Sequence, residues 1–300
     1  NVKRKHSRNS KTPKTSSGQT HSSSSAMSKG PGLFRDFSKK SKDLLYKDYL
    51  YDQKISISSI TESGLALSSY IAKHGSLSSG QIATQFVTNK AAFDVKLDTD
   101  LNQLSSTITV SDLLPSTKTI ASMNLPYQKT GKLEVQYLHH HASFSLSAEV
   151  NTSAAVDISA AMGTPTIAFG AEAGYVPTNS TLSKYNAGVS FSKPEYSVSA
   201  ILADKGDSIK VSFLRCLNGG ALVGEISRRF STNENTLTVG CSYEVDSQTV
   251  VKGKLNNHGN LSALVRHEVK PNSYVTFSGG FDTKELNCTP KIGVGLSISP

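Results

Sequence analysis

The residues best equipped for chemistry are His139, His140 and His141, three consecutive imidazoles that could ligate a metal. Consecutive side chains on a strand alternate between faces, so three cannot converge on one ion without a turn, and no carboxylate or cysteine neighbour completes a ligand set. A hairpin end between the segments of Val135 and Phe144 accounts for them. Cys216, Cys241 and Cys288 are spaced too widely for a CxxC site or a disulfide framework. They read as ordinary thiols, with Cys288, in a turn, a candidate for redox sensing. Asn218-Gly219-Gly220 and Ser278-Gly279-Gly280-Phe281 lack the Lys-Ser/Thr of a phosphate loop, and no Gly-x-Ser-x-Gly elbow occurs. Catalysis, cofactors and a bound metal are therefore not expected, and the charged side chains are left to act through their collective field.

Those charges fall on one face of alternating segments. The set assigned to that face is Lys54, Lys96, Lys118, Lys132, Lys210, Lys252, Lys254, Arg266 and Lys291, opposed by Asp94, Asp98, Glu134, Glu172, Glu268 and Asp282, so cations are expected to outnumber anions there. The other face is apolar. Tyr196, Val198, Ala200 and Leu202 oppose Ser197 and Ser199; Leu133, Val135 and Tyr137 oppose Lys132, Glu134 and Gln136; Ile292, Val294, Leu296 and Ile298 oppose Lys291, Gly293, Gly295 and Ser297.

Turn-bounded segments of this kind begin near residues 52, 62, 80, 91, 102, 117, 131, 141, 154, 165, 182, 194, 206, 221, 235, 247, 260, 273 and 290. Each strand plus turn uses about 13 residues, which suits strands of about ten residues with short connections and leaves no room for a second domain. The pattern predicts an all-β membrane barrel. A charge on the lipid face costs about 2–4 kcal/mol at mid-bilayer, so the charged face must be the inside. No stretch approaches the length of a spanning helix, but a closed barrel satisfies its backbone between strands and needs none. With no Trp, the 11 Tyr and 11 Phe must supply the interfacial aromatics.

Residues 1–26 carry Lys3, Arg4, Lys5, Arg8, Lys11 and Lys14, no acidic residue and a Ser/Thr-rich remainder, a composition expected to be disordered. They read as leader sequence not native to the protein, with Met27 a natural start. Without those six, 26 basic residues face 23 acidic ones, so most of the net charge of +9 belongs to the extension. The remainder divides into an N-terminal helix segment, 27–51, and the transmembrane barrel, 52–300.

The pattern predicts a four-turn amphipathic helix over 33–47. Leu33, Phe37 and Leu44 fall within about 40° on a helical wheel, widening to about 120° with Phe34 and Leu45, while Arg35, Lys39 and Lys42 lie opposite. Two placements compete: against the inner wall with the cations in the lumen, or flat on the membrane surface. In the first, Arg35, Lys39 and Lys42 join Lys54, Lys96, Lys132, Lys252, Lys254 and Arg266 as the residues expected to line the pore and set its selectivity.

Tyr243-Glu244-Val245-Asp246-Ser247, then Lys252-Gly253-Lys254-Leu255-Asn256-Asn257 and Ser262-Ala263-Leu264-Val265, resemble the C-terminal signature of the mitochondrial voltage-dependent anion channels, the eukaryotic porins. Lys291, Gly293, Leu296 and Ile298 resemble the signal read by the mitochondrial outer-membrane insertion machinery. The start Met27-Ser28-Lys29-Gly30-Pro31-Gly32-Leu33-Phe34 looks like the plant-type members, and the resemblance spans residues 27–300. This family is itself the known case of nineteen strands, so the segment count agrees with it without being independent of it. An odd number makes the first and last strands run the same way, so the closing pair, near Ile55 and Ile292, should be parallel.

The resemblance implies a voltage-gated diffusion pore of the mitochondrial outer membrane, passing small hydrophilic solutes with a preference for anionic metabolites such as nucleotides and phosphate, with no cofactor. Implied partners are membrane lipid, anionic metabolites and inorganic ions, with self-association and cytosolic proteins left open. Nucleic acid is not an expected partner, since the basic tail has no interleaved aromatics. Two rivals stand beside this reading: the protein-import pore of the same membrane, and a soluble all-β binding module whose apolar face would pack on a second layer.

Overall fold

The computed structural model describes residues 30–75, 77–100, 102–125, 130–150, 154–284 and 290–299. The expectations for residues 1–26 and for Cys288 lie outside the described residues. The strands are β1 Gln53–Ile60, β2 Leu65–His74, β3 Leu77–Val87, β4 Ala91–Asp98, β5 Gln103–Ser111, β6 Thr117–Leu125, β7 Thr130–Leu138, β8 Ala142–Val150, β9 Val156–Gly163 and β10 Ile167–Val176. They continue as β11 Thr181–Ser192, β12 Tyr196–Ala203, β13 Ser208–Leu217, β14 Gly220–Arg229, β15 Glu234–Asp246, β16 Thr249–Asn256, β17 Asn260–Lys270, β18 Ser273–Asp282 and β19 Lys291–Ile298. Each begins within three residues of a segment start read from the alternation. Residues that tolerate left-handed backbone, among them Asn102, Asp112, Asn233 and Asn272, supply the turns. His139–His141 form the β7–β8 turn.

All nineteen strands form one closed sheet in which chain neighbours pair antiparallel and β1 pairs parallel with β19. The seam sets Gln53 opposite Val294 and Ile55 opposite Leu296, so Leu296, rather than Ile292, is the partner of Ile55. Direction follows from the odd strand count; this offset is set by the stagger at which the cylinder closes. Closure leaves no free edge.

The two faces separate as the alternation requires. Ile55, Ile57, Phe93, Phe144, Phe213, Ile226 and Phe277 are exposed on the outside with nothing packed over them, which excludes the two-layer soluble module. Such an apolar wall is the lipid surface of a membrane barrel. At about 4.8 Å per strand and a tilt of ~40°, nineteen strands give a barrel roughly 38 Å across between backbones. That is wide enough for an aqueous lumen even with a helix of about 10–12 Å lying inside.

The N-terminal segment departs from expectation. In place of four continuous turns, a 3₁₀ turn at Phe34–Asp36 is followed by a two-turn helix, α1, at Lys39–Tyr46, with Ser38 at its N-cap. The apolar face is as read: Leu33, Phe34, Phe37, Leu44 and Leu45 are all buried. Phe34 with Phe37, and Leu44 with Leu45, pack on two separate patches of a curved wall. A straight helix cannot follow that curvature, and the break at Phe37–Ser38 lets both halves dock.

Candidate functional site

The segment runs along the inner face of the wall. Phe34 and Phe37, their rings edge to face at 5.2 Å, pack on Ala161 of β9, Ala168 of β10 and Ile201 of β12. Leu44 and Leu45 pack on Leu214 of β13 and on Val223 and Ala221 of β14. Each fully buried Phe or Leu contributes roughly 1.5–3 kcal/mol, so these two patches are the main hold on the segment. Small wall residues make room for it. A Cβ on Gly170 would lie 2.6 Å from the Phe34 ring and 3.1 Å from that of Phe37. Gly170→Val should therefore lift the 3₁₀ turn off its seat at a cost of about 1–3 kcal/mol, the usual range for overpacking. With Ser38→Cys as reporter, at a position that is buried, labelling by a water-soluble maleimide should quicken about fivefold or more, since about 1 kcal/mol is roughly a fivefold shift. An unchanged rate would place the seat elsewhere.

Polar contacts fix the C-terminal half. Tyr46 donates to Glu225 Oε1 at 2.8 Å, and Lys210 Nζ lies 3.3 Å from the same oxygen. Burial, reinforced by Glu225, pushes the Tyr46 phenol up to about 12, so it stays protonated as the donor. Asp48, at φ 73°, reaches Lys252 Nζ at 3.2 Å and Arg266 Nη1 at 3.7 Å, clamping the linker to β16 and β17. The Leu50 amide donates to Ser278 Oγ at 2.9 Å, and the Ser278 hydroxyl donates to the Leu50 carbonyl. That carbonyl lies against the backbone of Gly293, where no side chain would fit. Gly293 therefore has a packing role in the finished barrel, in addition to the insertion role that its motif implies.

Strand register places Lys54, Lys96, Lys118, Lys132, Lys210, Lys252, Lys254, Arg266 and Lys291 on the lumen face, and Arg35, Lys39 and Lys42 are exposed there on the segment. Most are partnered. Arg35 Nη1 lies 2.7 Å from Glu134 Oε1, Lys39 Nζ 3.7 Å from Asp36, and Lys132 Nζ 3.9 Å from Glu149. Lys54 lies over the Tyr70 ring, and Lys254 over Tyr46 and Tyr49. Among the described residues, Lys42, Lys96, Lys118 and Lys291 have neither an ion pair nor a ring contact. Leu296 and Ile298 face lipid, whereas Lys291 and Gly293 face the lumen.

The expected cation excess on the wall is not present. Register adds Lys184 and Arg229 to the cations, and Glu149, Asp157, Glu225, Glu234 and Glu244 to the anions, giving eleven of each on the strands. Lys184 bridges Asp157 at 3.2 Å and Glu172 at 3.0 Å. Alternation could have assigned all seven to the lumen, but not their pairing. An excess remains on the N-terminal segment, where Arg35, Lys39, Lys40, Lys42 and Lys47 outnumber Asp36, Asp43 and Asp48. Between the segment and the wall lies a cavity of about 440 Å³, lined by Arg35, Lys42, Lys210 and Arg229 against Glu172 and Asp204.

The sequence profile described as eukaryotic porin matches residues 30–293. The chain is 51% identical over 277 residues to "Mitochondrial outer membrane protein porin 2" of Arabidopsis thaliana, covering 91% of this chain and 100% of that protein. It is 46% identical over 275 residues to "Mitochondrial outer membrane protein porin 5" of Oryza sativa subsp. japonica, covering 91% and 99%. It is 41% identical over 277 residues to "Outer plastidial membrane protein porin" of Pisum sativum, covering 91% and 100%.

Proposed function

The chain belongs to the eukaryotic porin family, a family of channels and not of enzymes, and from that premise we propose that this pore is voltage-gated and prefers anions such as nucleotides and phosphate when open. Its place is the mitochondrial outer membrane, as the names of its relatives from Arabidopsis and rice indicate. The observation that carries the anion preference is the N-terminal segment, whose Arg35, Lys39, Lys40, Lys42 and Lys47 outnumber Asp36, Asp43 and Asp48 and whose unpaired Lys42 lines the cavity. With the strand charges balanced, and Lys210 and Arg229 already paired with Glu225 and Asp204, the field there comes chiefly from Lys42, which has no ion pair among the described residues, and it acts in a confined, partly desolvated space.

Voltage sensitivity is supported by the same segment. It is a short element, held by two small apolar patches and a few polar contacts, and it carries charges that a field across the membrane can act on at about 2.3 kcal/mol per elementary charge per 100 mV. That is comparable with the hold of one buried Phe or Leu. Lys54, Lys96, Lys132, Lys252, Lys254 and Arg266 contribute as wall charges, several already offset by carboxylates.

Planar-bilayer recording of the purified chain tests both parts. A KCl gradient should give a reversal potential of the sign for chloride preference, and conductance should fall as the potential is raised with either polarity. Cation preference, or a conductance independent of potential, would overturn the corresponding part.

A further inference from the structure

We propose that the outward row Lys193, Tyr196 and Arg215, at one rim of the barrel, binds the phosphate of an anionic phospholipid headgroup. The three residues lie side by side across neighbouring strands. The Lys193 amide donates to the Tyr196 carbonyl at 2.8 Å, and Tyr196 is the register partner of Arg215. At about 4.8 Å per strand, the two cations are rooted roughly 10 Å apart with the tyrosine between them, close enough for both long side chains to reach one phosphate.

The register puts this row on the lipid side. Tyr196 and Arg215 share a face with Val198 and Phe213, while the next residue of each strand, Ser197 and Leu214, is buried toward the lumen. Phe191 and Tyr196 stack at 5.7 Å, and Lys193 Nζ lies 5.7 Å from each ring, which holds the ammonium at the rim. Among the described residues neither cation has a carboxylate partner, Glu195 of the same turn included. Arginine on the lipid face is costly at mid-bilayer and nearly free at the interface, so Arg215, two residues from the end of β13, marks the headgroup level.

Directly inward of the row the wall is apolar and exposed at Phe213 and Val189, which suits acyl chains continuing from a headgroup. An aqueous anion would gain nothing from that wall. The occupant is therefore a lipid and not free phosphate.

The test is native mass spectrometry of the full chain released from nanodiscs of phosphatidylcholine and phosphatidylglycerol. The unaltered chain should retain phosphatidylglycerol over phosphatidylcholine, and Lys193→Gln with Arg215→Gln should lower that ratio at least fivefold. The charge-keeping exchange Lys193→Arg with Arg215→Lys should retain at least half of it. Removing the same charge from two turns, Lys90→Gln with Lys205→Gln, should leave the ratio unchanged. No preference in the unaltered chain, an undiminished ratio in the Gln variant, an equal loss in the turn variant, or displacement of the lipid by millimolar inorganic phosphate would each overturn the proposal.

Discussion

Replacing Arg35, Lys39 and Lys42 together by Glu is expected to move the selectivity of the pore from anions toward cations. The substitution changes the segment by six charge units while Leu33, Phe34, Phe37, Leu44 and Leu45 keep their seats on the wall. The three contribute unequally. Arg35 is paired with Glu134, so a glutamate there adds a like charge at close range. Lys39 is paired only with Asp36, a turn away and in water, where such pairs are worth little. Lys42 has no ion pair among the described residues and lines the cavity directly. Six charges acting across about 10 Å of water, reduced by one Debye length, amount to roughly 1 kcal/mol per monovalent ion. Cations gain what anions lose, so the permeability ratio should change by about tenfold or more at 0.1 M salt and by less at 1 M, where screening shortens to about 3 Å. The measurement is the reversal potential in a KCl gradient. If it is unchanged at low salt, the segment's charges do not act on the conducting path.

Leu296→Asp is expected to prevent assembly. Leu296 lies on the lipid face of β19, opposite Ile55 across the parallel seam and opposite Val275 on the other side. The substitution removes an apolar contact worth roughly 1.5–3 kcal/mol and sets a carboxylate against hydrocarbon, on the one strand that closes the cylinder. Open edges on β1 and β19 would then leave unpaired backbone groups in the bilayer, each costing several kcal/mol. The variant should be lost from carbonate-washed membranes after import. Ser297→Asp, one residue along and facing the lumen beside Ser56 and Tyr274, should insert normally. Equal behaviour of the two variants would contradict the assigned faces.

The strand pattern was legible because its cause is local. A side-chain period of two assigns residues such as Lys132, Glu134 and Ser197 to a face wherever the segment ends up, and an odd number of strands forces a parallel seam. The apolar stripe of the N-terminal segment was legible for the same reason, since Leu33, Phe37 and Leu44 share a side of any helix. Hairpin positions such as His139–His141 follow from the turns that bound them.

Only the closed tertiary structure decided the rest. Alternation states which face a charge takes but not which charge it meets, and Asp48 reaches Lys252 and Arg266 across more than 200 residues of chain. The Lys184 bridge to Asp157 and Glu172, the balance of strand charges, the pairing of Ile55 with Leu296 and the break at Ser38 all depend on how far each strand is staggered against the next. Stagger is set by the hydrogen-bond register of each strand pair around the closed sheet, and the segment fits against it where small residues leave room, Phe34 over Gly170 and Leu50 over Gly293. The sequence by itself therefore determined the barrel and its two faces, which a short-range period encodes. The electrostatics of the lumen had to wait for the fold, because they arise from contacts between residues that are distant in the chain and meet only across a curved wall.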